Sequence, residues 1–259
     1  MVVVAGRGQR ACHRGGGGIQ EASVAGIGPA WERGGRVDAL IFDFDGVVVD
    51  SEPIHLACYQ QVLAEEGIAL SREDYYGKYL GYDDRDCFLA VARDTGRRLH
   101  RPLEALIAAK TVLVQQALRE STRALPGAVE LIRAARAAGV PVAVCSGALR
   151  REIELASAAA GVLECFSVIV SAEDVPAGKP DPAGFRLAVE RLGAAGGRAI
   201  RAGRCVAVED SPAGIEAAQA AGLAVLAVTN SYPARALQAA QRVVGSLGEV
   251  ALGDLEGLL

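Results

Sequence analysis

Five short apolar runs constrain this chain more than any other feature: "VDALIF" (37–42), "VPVAVC" (140–145), "FSVIV" (166–170), "RCVAV" (204–208) and "LAVLAV" (223–228). They lack the polar alternation of a strand with one face in water, so each is expected to be a strand buried on both faces. The Ala-rich segments between them carry helical spacing. Together they predict an α/β core, a doubly wound parallel sheet with helices crossing over between strands.

One interval breaks that rhythm, because nearly a hundred residues separate the first two runs. Within it Ile54, Cys58 and Val62 recur at every fourth position, and Leu103, Leu106, Ile107, Leu113, Val114, Ala117 and Leu118 form a second stripe at helical spacing. Apolar stripes of this kind need a partner to bury against. The interval therefore predicts an inserted all-helical domain over residues 52–124, with Pro53 near its start and "LPG" (125–127) at its end as hinge positions. Residues 37–51 and 125–259 are then the core. Residues 1–36, with "GGGG" at 15–18, no acid before Glu21 and no sustained period, read as a disordered extension.

Composition narrows the function classes. A hydrophobic fraction of 51% and a charged fraction of 22% support a sizeable core. The net charge is only −4, no basic run carries interleaved aromatics, and no apolar stretch approaches the roughly 18 residues that span a bilayer. Neither nucleic acid nor membrane is expected as a partner. Six cysteines without a C-x-x-C pair read as buried reduced thiols, which favours a reducing, cytoplasmic setting. The N-terminal extension leaves an organellar destination open. With three lysines (Lys78, Lys110, Lys179) against 24 arginines, each lysine is worth locating.

In open α/β sheets ligands bind beyond the carboxyl ends of the strands, and the chemistry of this chain collects there. "DFDG" ends the first run with Asp43 and Asp45, which an extended chain points to one side, and Gly46 allows a sharp turn behind them. Ser146 and Gly147 follow the second run, Lys179 lies in "AGKPDP" after the third, and Glu209 and Asp210 end the fourth. Taken singly these are ordinary: a helix-capping Ser, a surface Lys, an acidic cap before Pro212. Placed together, the carboxylates repel by about 4 kcal/mol per pair at about 4 Å and an effective dielectric near 20. A cation is required to offset that, and an all-oxygen ligand set that also meets a phosphate points to Mg²⁺. The parts then take roles in phosphoryl transfer: Asp43 as nucleophile, Asp45 as acid and base, and Lys179, Ser146 and backbone N–H groups as phosphate holders.

"DFDGVVVDSEP", Ser146 after a strand, "GKPDP" and "VEDSPAGIEAAQAAG" resemble, in order, the four motifs of the haloacid dehalogenase-like hydrolase superfamily. The helical insertion resembles the cap domain of its phosphatase and β-phosphoglucomutase-like branch, on a Rossmann-like core. The resemblance implies an aspartyl-phosphate formed on Asp43. It also implies Mg²⁺ held by Asp43, the backbone carbonyl of Asp45, and Asp210 with Glu209. Dehalogenases and phosphonate-cleaving members lack the acid two residues after the nucleophile, so Asp45 argues for phosphate esters.

The expected activity is a Mg²⁺-dependent phosphatase, acting as a monomer on a small phosphorylated metabolite such as a sugar phosphate. A β-phosphoglucomutase-type mutase and a non-catalytic binding module on the same fold are the alternatives. His55, in "SEPIHLACY", and Lys78 and Arg85, in or beside "YYGKYLGYDDRD", are the candidate substrate contacts of the cap.

Overall fold

The structure, a computed structural model, describes residues 37–259. The disordered extension expected over residues 1–36 lies outside the described residues, as does Cys12. Among the described residues six strands form one parallel sheet: β1 (Ala39–Phe42), β2 (Val142–Cys145), β3 (Val168–Val170), β4 (Cys205–Glu209), β5 (Ala224–Val228) and β6 (Arg242–Val244). Their order is β3-β2-β1-β4-β5-β6. The five apolar runs supply β1 to β5. The edge strand β6 is three residues long and begins with Arg242, too short and too polar a run to stand out in the sequence.

Both faces of the sheet are covered, which is why its strands need no polar alternation. Leu40 and Phe42 of β1, Val206 and Val208 of β4 and Leu226 of β5 pack on one face with α5 (Ala128–Ala137) and α6 (Arg150–Ala159). Ala39, Ile41, Cys205, Ala207 and Val225 pack on the other with α7 (Ala183–Gly196) and α8 (Pro212–Ala220). Fully burying an aliphatic or Phe side chain stabilises by about 1.5–3 kcal/mol, so central strands such as β1 and β4 anchor the fold. The Gly193–Gly203 stretch begins as the last turn of α7 and ends that helix at left-handed Gly197. Beyond it Arg201 pairs with Asp38 at 3.0 Å, which fastens the connection beneath β1. The five cysteines among the described residues are free thiols.

Between β1 and β2 lie α1 (Glu52–Glu65), α2 (Arg72–Asp74), one π-helical turn (Tyr75–Tyr79), α3 (Asp84–Thr95) and α4 (Leu103–Ser121). Leu56, Tyr59, Val62 and Leu63 of α1, Phe88 and Val91 of α3 and Leu106 of α4 close a separate apolar cluster. The C-terminal part of the same buried stripe of α4, at Val114 and Leu118, joins the core cluster instead, where α4 lies against α6. The outgoing and returning chains are bonded to each other: Asp50 N–H donates to Arg123 O at 2.9 Å and Leu125 N–H to Val48 O at 2.9 Å. Among the described residues no helix is long and apolar enough to cross a membrane.

Candidate active site

The strand ends meet at the carboxyl edge of the sheet. Asp43 N–H donates to Val208 O at 2.9 Å, which carries the β1–β4 pairing one residue past β1 and sets Asp43 beside Glu209. After β3 a turn closes with Asp181 N–H on Gly178 O at 3.0 Å and aims Lys179 inward. Its Nζ lies 2.5 Å from Asp43 Oδ1 and 2.5 Å from Glu209 Oε1. Burial opposes the Lys179 charge, but the carboxylates of Asp43 and Glu209 outweigh it and hold its pKa well above the usual lysine value.

Ligand oxygens of Asp43, Glu209 and Asp210 lie within 4.8 Å of one another. All three residues are buried, with Glu209 at 0% exposure and Asp210 at 3%. Burial raises the Asp43 carboxyl well above its ordinary value; Lys179 opposes this, while Glu209 and Asp210 add to it. Burial likewise raises Asp210 to about 7, against the hydrogen bond it receives from Ser231. Three carboxylates against one ammonium leave two negative charges uncompensated when all are ionised, so the donor set fits a hard dication. The backbone is shaped around these acids: a methyl group at Gly46 would lie 2.0 Å from Asp210 Oδ2, and one at Gly214 would lie 2.0 Å from Glu209 Oε1.

The acids are not equivalent. Glu209 has both oxygens engaged, Oε1 by Lys179 and Oε2 by Asp210 N–H (3.1 Å), Ser211 N–H (3.3 Å) and the Ser211 hydroxyl (3.1 Å). Ser211 is also the N-cap of α8, accepting from Gly214 N–H at 3.0 Å, so the residue that starts the helix also fixes the acid. By contrast, no hydrogen bond among the described residues ends on Asp43 Oδ2 or Asp210 Oδ1.

Asp45 stands outside the three-acid cluster, unlike the four-carboxylate grouping expected from an extended chain. The strand ends at Asp43. Phe44 O then accepts from Val48 N–H at 2.8 Å, and Gly46 turns the chain at φ 76°. Asp45 consequently faces two hydroxyls: Ser51 donates to Oδ1, and Ser146 donates to Oδ2 at 3.4 Å. Ser51 sits at the N-cap of α1 without a side-chain capping bond, and its hydroxyl donates to Asp45 instead. Ser146 in turn accepts from Ala148 N–H at 3.0 Å, and Gly147 is exposed on the same turn.

His55 is joined to Lys110, one of the three lysines of the sequence. Lys110 of α4 is buried, with its Nζ 3.0 Å from His55 Nδ1, bonded to Asp84 Oδ1, and 4.2 Å from the centre of the Tyr59 ring. Tyr59 also donates to Asp84 at 2.7 Å. Burial, then the Lys110 charge, lowers His55 to about 4. Glu152 of α6 is buried as well, and its burial raises it to about 7. Lys78 and Arg85 behave differently. Lys78 is exposed and paired with Asp74 at 2.7 Å, Arg85 is exposed on α3, and neither bonds to a strand-end residue.

The loop after β5 contributes two residues that the sequence reading passed over. Asn230 Nδ2 donates to Gly46 O at 2.7 Å, and the Ser231 hydroxyl donates to Asp210 Oδ2. The available signal was "TNSYP", polar residues directly behind a buried run, the same signature that marked the other strand ends.

A sequence model of the haloacid dehalogenase-like hydrolases matches residues 37–222. The chain is 30% identical over 197 residues to the fructose-1-phosphate phosphatase YqaB of Escherichia coli, covering 73% of this chain and 94% of the relative. It is also 30% identical over 225 residues to the chloroplastic protein Suppressor of Quenching 1 of Arabidopsis thaliana; that match takes in 85% of this chain but only 21% of the longer relative. The crystal structure of CbbY from Rhodobacter sphaeroides in complex with phosphate superposes with a TM-score of 0.72 at 26% identity, covering 82% of this chain and 96% of that one. With the parallel sheet, the strand-end acids and a family match over most of its length, this chain belongs to the haloacid dehalogenase-like hydrolases.

Proposed function

We propose that the protein is a Mg²⁺-dependent phosphatase that hydrolyses a small phosphorylated metabolite, a sugar phosphate in particular, through an aspartyl-phosphate. The observation that carries this reading is the pairing of Asp43, buried beside Lys179, with a second acid, Asp210, that keeps an unengaged oxygen. Asp43, the backbone carbonyl of Asp45 and Asp210 would hold Mg²⁺. Once bound, the ion offsets the negative charge that the phosphate dianion brings toward the carboxylates. Glu209, saturated by its own neighbours, acts as the counter-charge that holds Lys179 in place.

Asp43 attacks phosphorus, forming a carboxyl–phosphorus bond as the bond to the leaving oxygen breaks, and Asp45 gives its proton to that oxygen. Water then attacks the aspartyl-phosphate, Asp45 takes the water proton, and inorganic phosphate leaves with Asp43 regenerated. The hydroxyl of Ser51 orients Asp45 for both proton transfers. Lys179, Ser146 and the Gly147 backbone hold the phosphoryl oxygens and neutralise charge that develops in the transition state.

Residues 52–124 act as a cap. Their own apolar cluster and paired connections, which leave the core within a few residues of Asp45, suit a unit that closes over substrate and excludes bulk water. The names of the relatives support a phosphorylated small molecule as the substrate. Hydrolysis is favoured over a mutase reaction because two lysines available to a second phosphate are engaged elsewhere, Lys110 by Asp84 and Lys78 by Asp74.

The test is a screen of the full chain against sugar phosphates and other small phosphate esters, with Mg²⁺ and with chelator. Phosphate release that requires Mg²⁺ is expected. Conversion of β-glucose 1-phosphate to glucose 6-phosphate that outpaces phosphate release would replace this reading with the mutase.

A further inference from the structure

The segment just beyond β5 reaches both halves of the proposed metal site, although nothing in the four matched motifs extends to it. β5 lies beside β4, with Glu209 opposite Ala227, so its continuation runs alongside Asp210. Asn230 is exposed and Ser231 partly buried there, and each spends a polar group on the site. Ser231 donates to one oxygen of Asp210. Asn230 donates to the carbonyl of Gly46, the residue directly behind Asp45.

These contacts constrain the two ligands in complementary ways. An ionised carboxylate can only accept hydrogen bonds, so a hydroxyl on Asp210 Oδ2 restrains the rotation of the group and leaves Oδ1 unengaged by it. Mg²⁺ demands near-octahedral geometry and tolerates misaligned ligands poorly, so a freely rotating carboxylate would bind it less well. Gly46 is left-handed at φ 76°, and a methyl group there would collide with both Asp210 Oδ2 (2.0 Å) and Ser231 Oγ (2.7 Å). The turn that presents the Asp45 carbonyl, the Asp210 carboxylate and the Ser231 hydroxyl thus pack as one unit, and the Asn230 amide ties the turn to the same loop.

We infer that Asn230 and Ser231 are positioning residues for Mg²⁺: Ser231 orients the Asp210 carboxylate and Asn230 the Asp45–Gly46 turn, so that the β5 loop sets the metal affinity of the site. This deepens the phosphatase reading and rests on it. Outer partners of metal ligands typically contribute 10–100-fold in metal affinity.

Titration calorimetry with Mg²⁺ alone, on the full wild-type chain and on Ser231→Ala, Ser231→Thr and Asn230→Ala, tests it without any turnover measurement. Ser231→Ala is expected to weaken Mg²⁺ binding at least about tenfold, with Ser231→Thr, which keeps the hydroxyl, recovering most of the loss. Asn230→Ala should weaken binding in the same direction and serves as the second reading if Ser231→Ala does not fold. In kinetics the Mg²⁺ concentration for half-activation should rise, while the substrate KM at saturating Mg²⁺ stays near that of the wild type. Wild-type affinity retained within twofold in the folded variants would overturn this inference alone. Failure of the wild-type chain to bind Mg²⁺ would overturn the metal-dependent reading beneath it as well.

Discussion

Lys179 Nζ lies 2.5 Å from Asp43 Oδ1 across 136 positions of sequence, and the same nitrogen is 2.5 Å from Glu209 Oε1. One ammonium therefore holds two buried carboxylates at the end of adjacent strands. Removing one partner of a buried ion pair costs about 3–5 kcal/mol because the other charge is left uncompensated. Lys179→Met is accordingly expected to lose stability of that order in chelator at neutral pH, to recover part of it with Mg²⁺, and to lose at least about 100-fold in turnover. Denaturant melts with and without Mg²⁺ check this, and a variant with an unchanged midpoint would show that the pair is not structural.

Asp45 and Asp210 should separate metal binding from proton transfer. Asp210→Asn removes a carboxylate of the three-acid cluster and is expected to weaken Mg²⁺ binding by tenfold or more. Asp45→Asn keeps the backbone carbonyl and should leave Mg²⁺ affinity within about threefold, while turnover falls by about 10²–10⁴ as the proton donor is lost. Calorimetry and phosphate release on the same preparations decide it. Equal losses of Mg²⁺ affinity in the two variants would contradict the assignment.

Asp43→Asn preserves shape while removing the nucleophile. Phosphate release should drop to background and covalent labelling from a phosphorylated substrate should vanish, with Lys179 still paired to Glu209. Label retained on the chain in Asp43→Asn would move the nucleophile elsewhere.

His55 gives the fold a pH dependence of definite sign. Its folded pKa, about 4, lies below the ordinary histidine value of 6.5, through burial and then the Lys110 charge. Between those values the unfolded chain binds a proton that the folded chain does not, so this residue's contribution to stability shrinks as pH falls from 6.5 toward 4. The difference in unfolding free energy between wild type and His55→Gln, followed from pH 7 to pH 4, should slope in that direction. A difference independent of pH would refute it.

Gly127 controls the return of the chain from the helical segment. It is left-handed at φ 83°, and a methyl group there would lie 2.0 Å from Gly248 N, a backbone atom that cannot swing aside. The left-handed conformation alone costs a non-glycine residue about 1–2 kcal/mol, and the collision adds to it. Gly127→Ala should destabilise by at least about 2 kcal/mol, whereas Gly67→Ala, also left-handed but with open space around it, should lose only the conformational part. Thermal melts of the two variants compare them directly.

How far the sequence reaches is clearest at particular residues. β1 to β5 were legible because strands covered on both faces must be apolar throughout, and that requirement is written in consecutive residues. The acids behind β1 and β4 and the lysine behind β3 were legible for a related reason: a strand that stops at a ligand edge changes from apolar to charged within one or two positions. β6 was missed because an edge strand of three residues carries no such contrast. The partition of the acids was also beyond reach. An extended chain would send Asp43 and Asp45 to one side, and it is the left-handed turn at Gly46, packed against Asp210 and Ser231, that turns Asp45 toward Ser51 and Ser146. Lys110 stood out in the sequence only as one of three lysines; its burial against His55, Asp84 and Tyr59 depends on how three helices pack. Asn230 and Ser231 went unnoticed in the sequence, and it is the β4–β5 register that brings them to Gly46 and Asp210. Strand identity and strand-end chemistry are local, set by burial and by alternation along the chain, so the amino-acid order alone determined them. Which carboxylate meets which cation and which lysine is buried are set by contacts between residues tens to more than a hundred positions apart, and which hydroxyl orients each acid depends on turns that those contacts hold, so only the tertiary packing decides them.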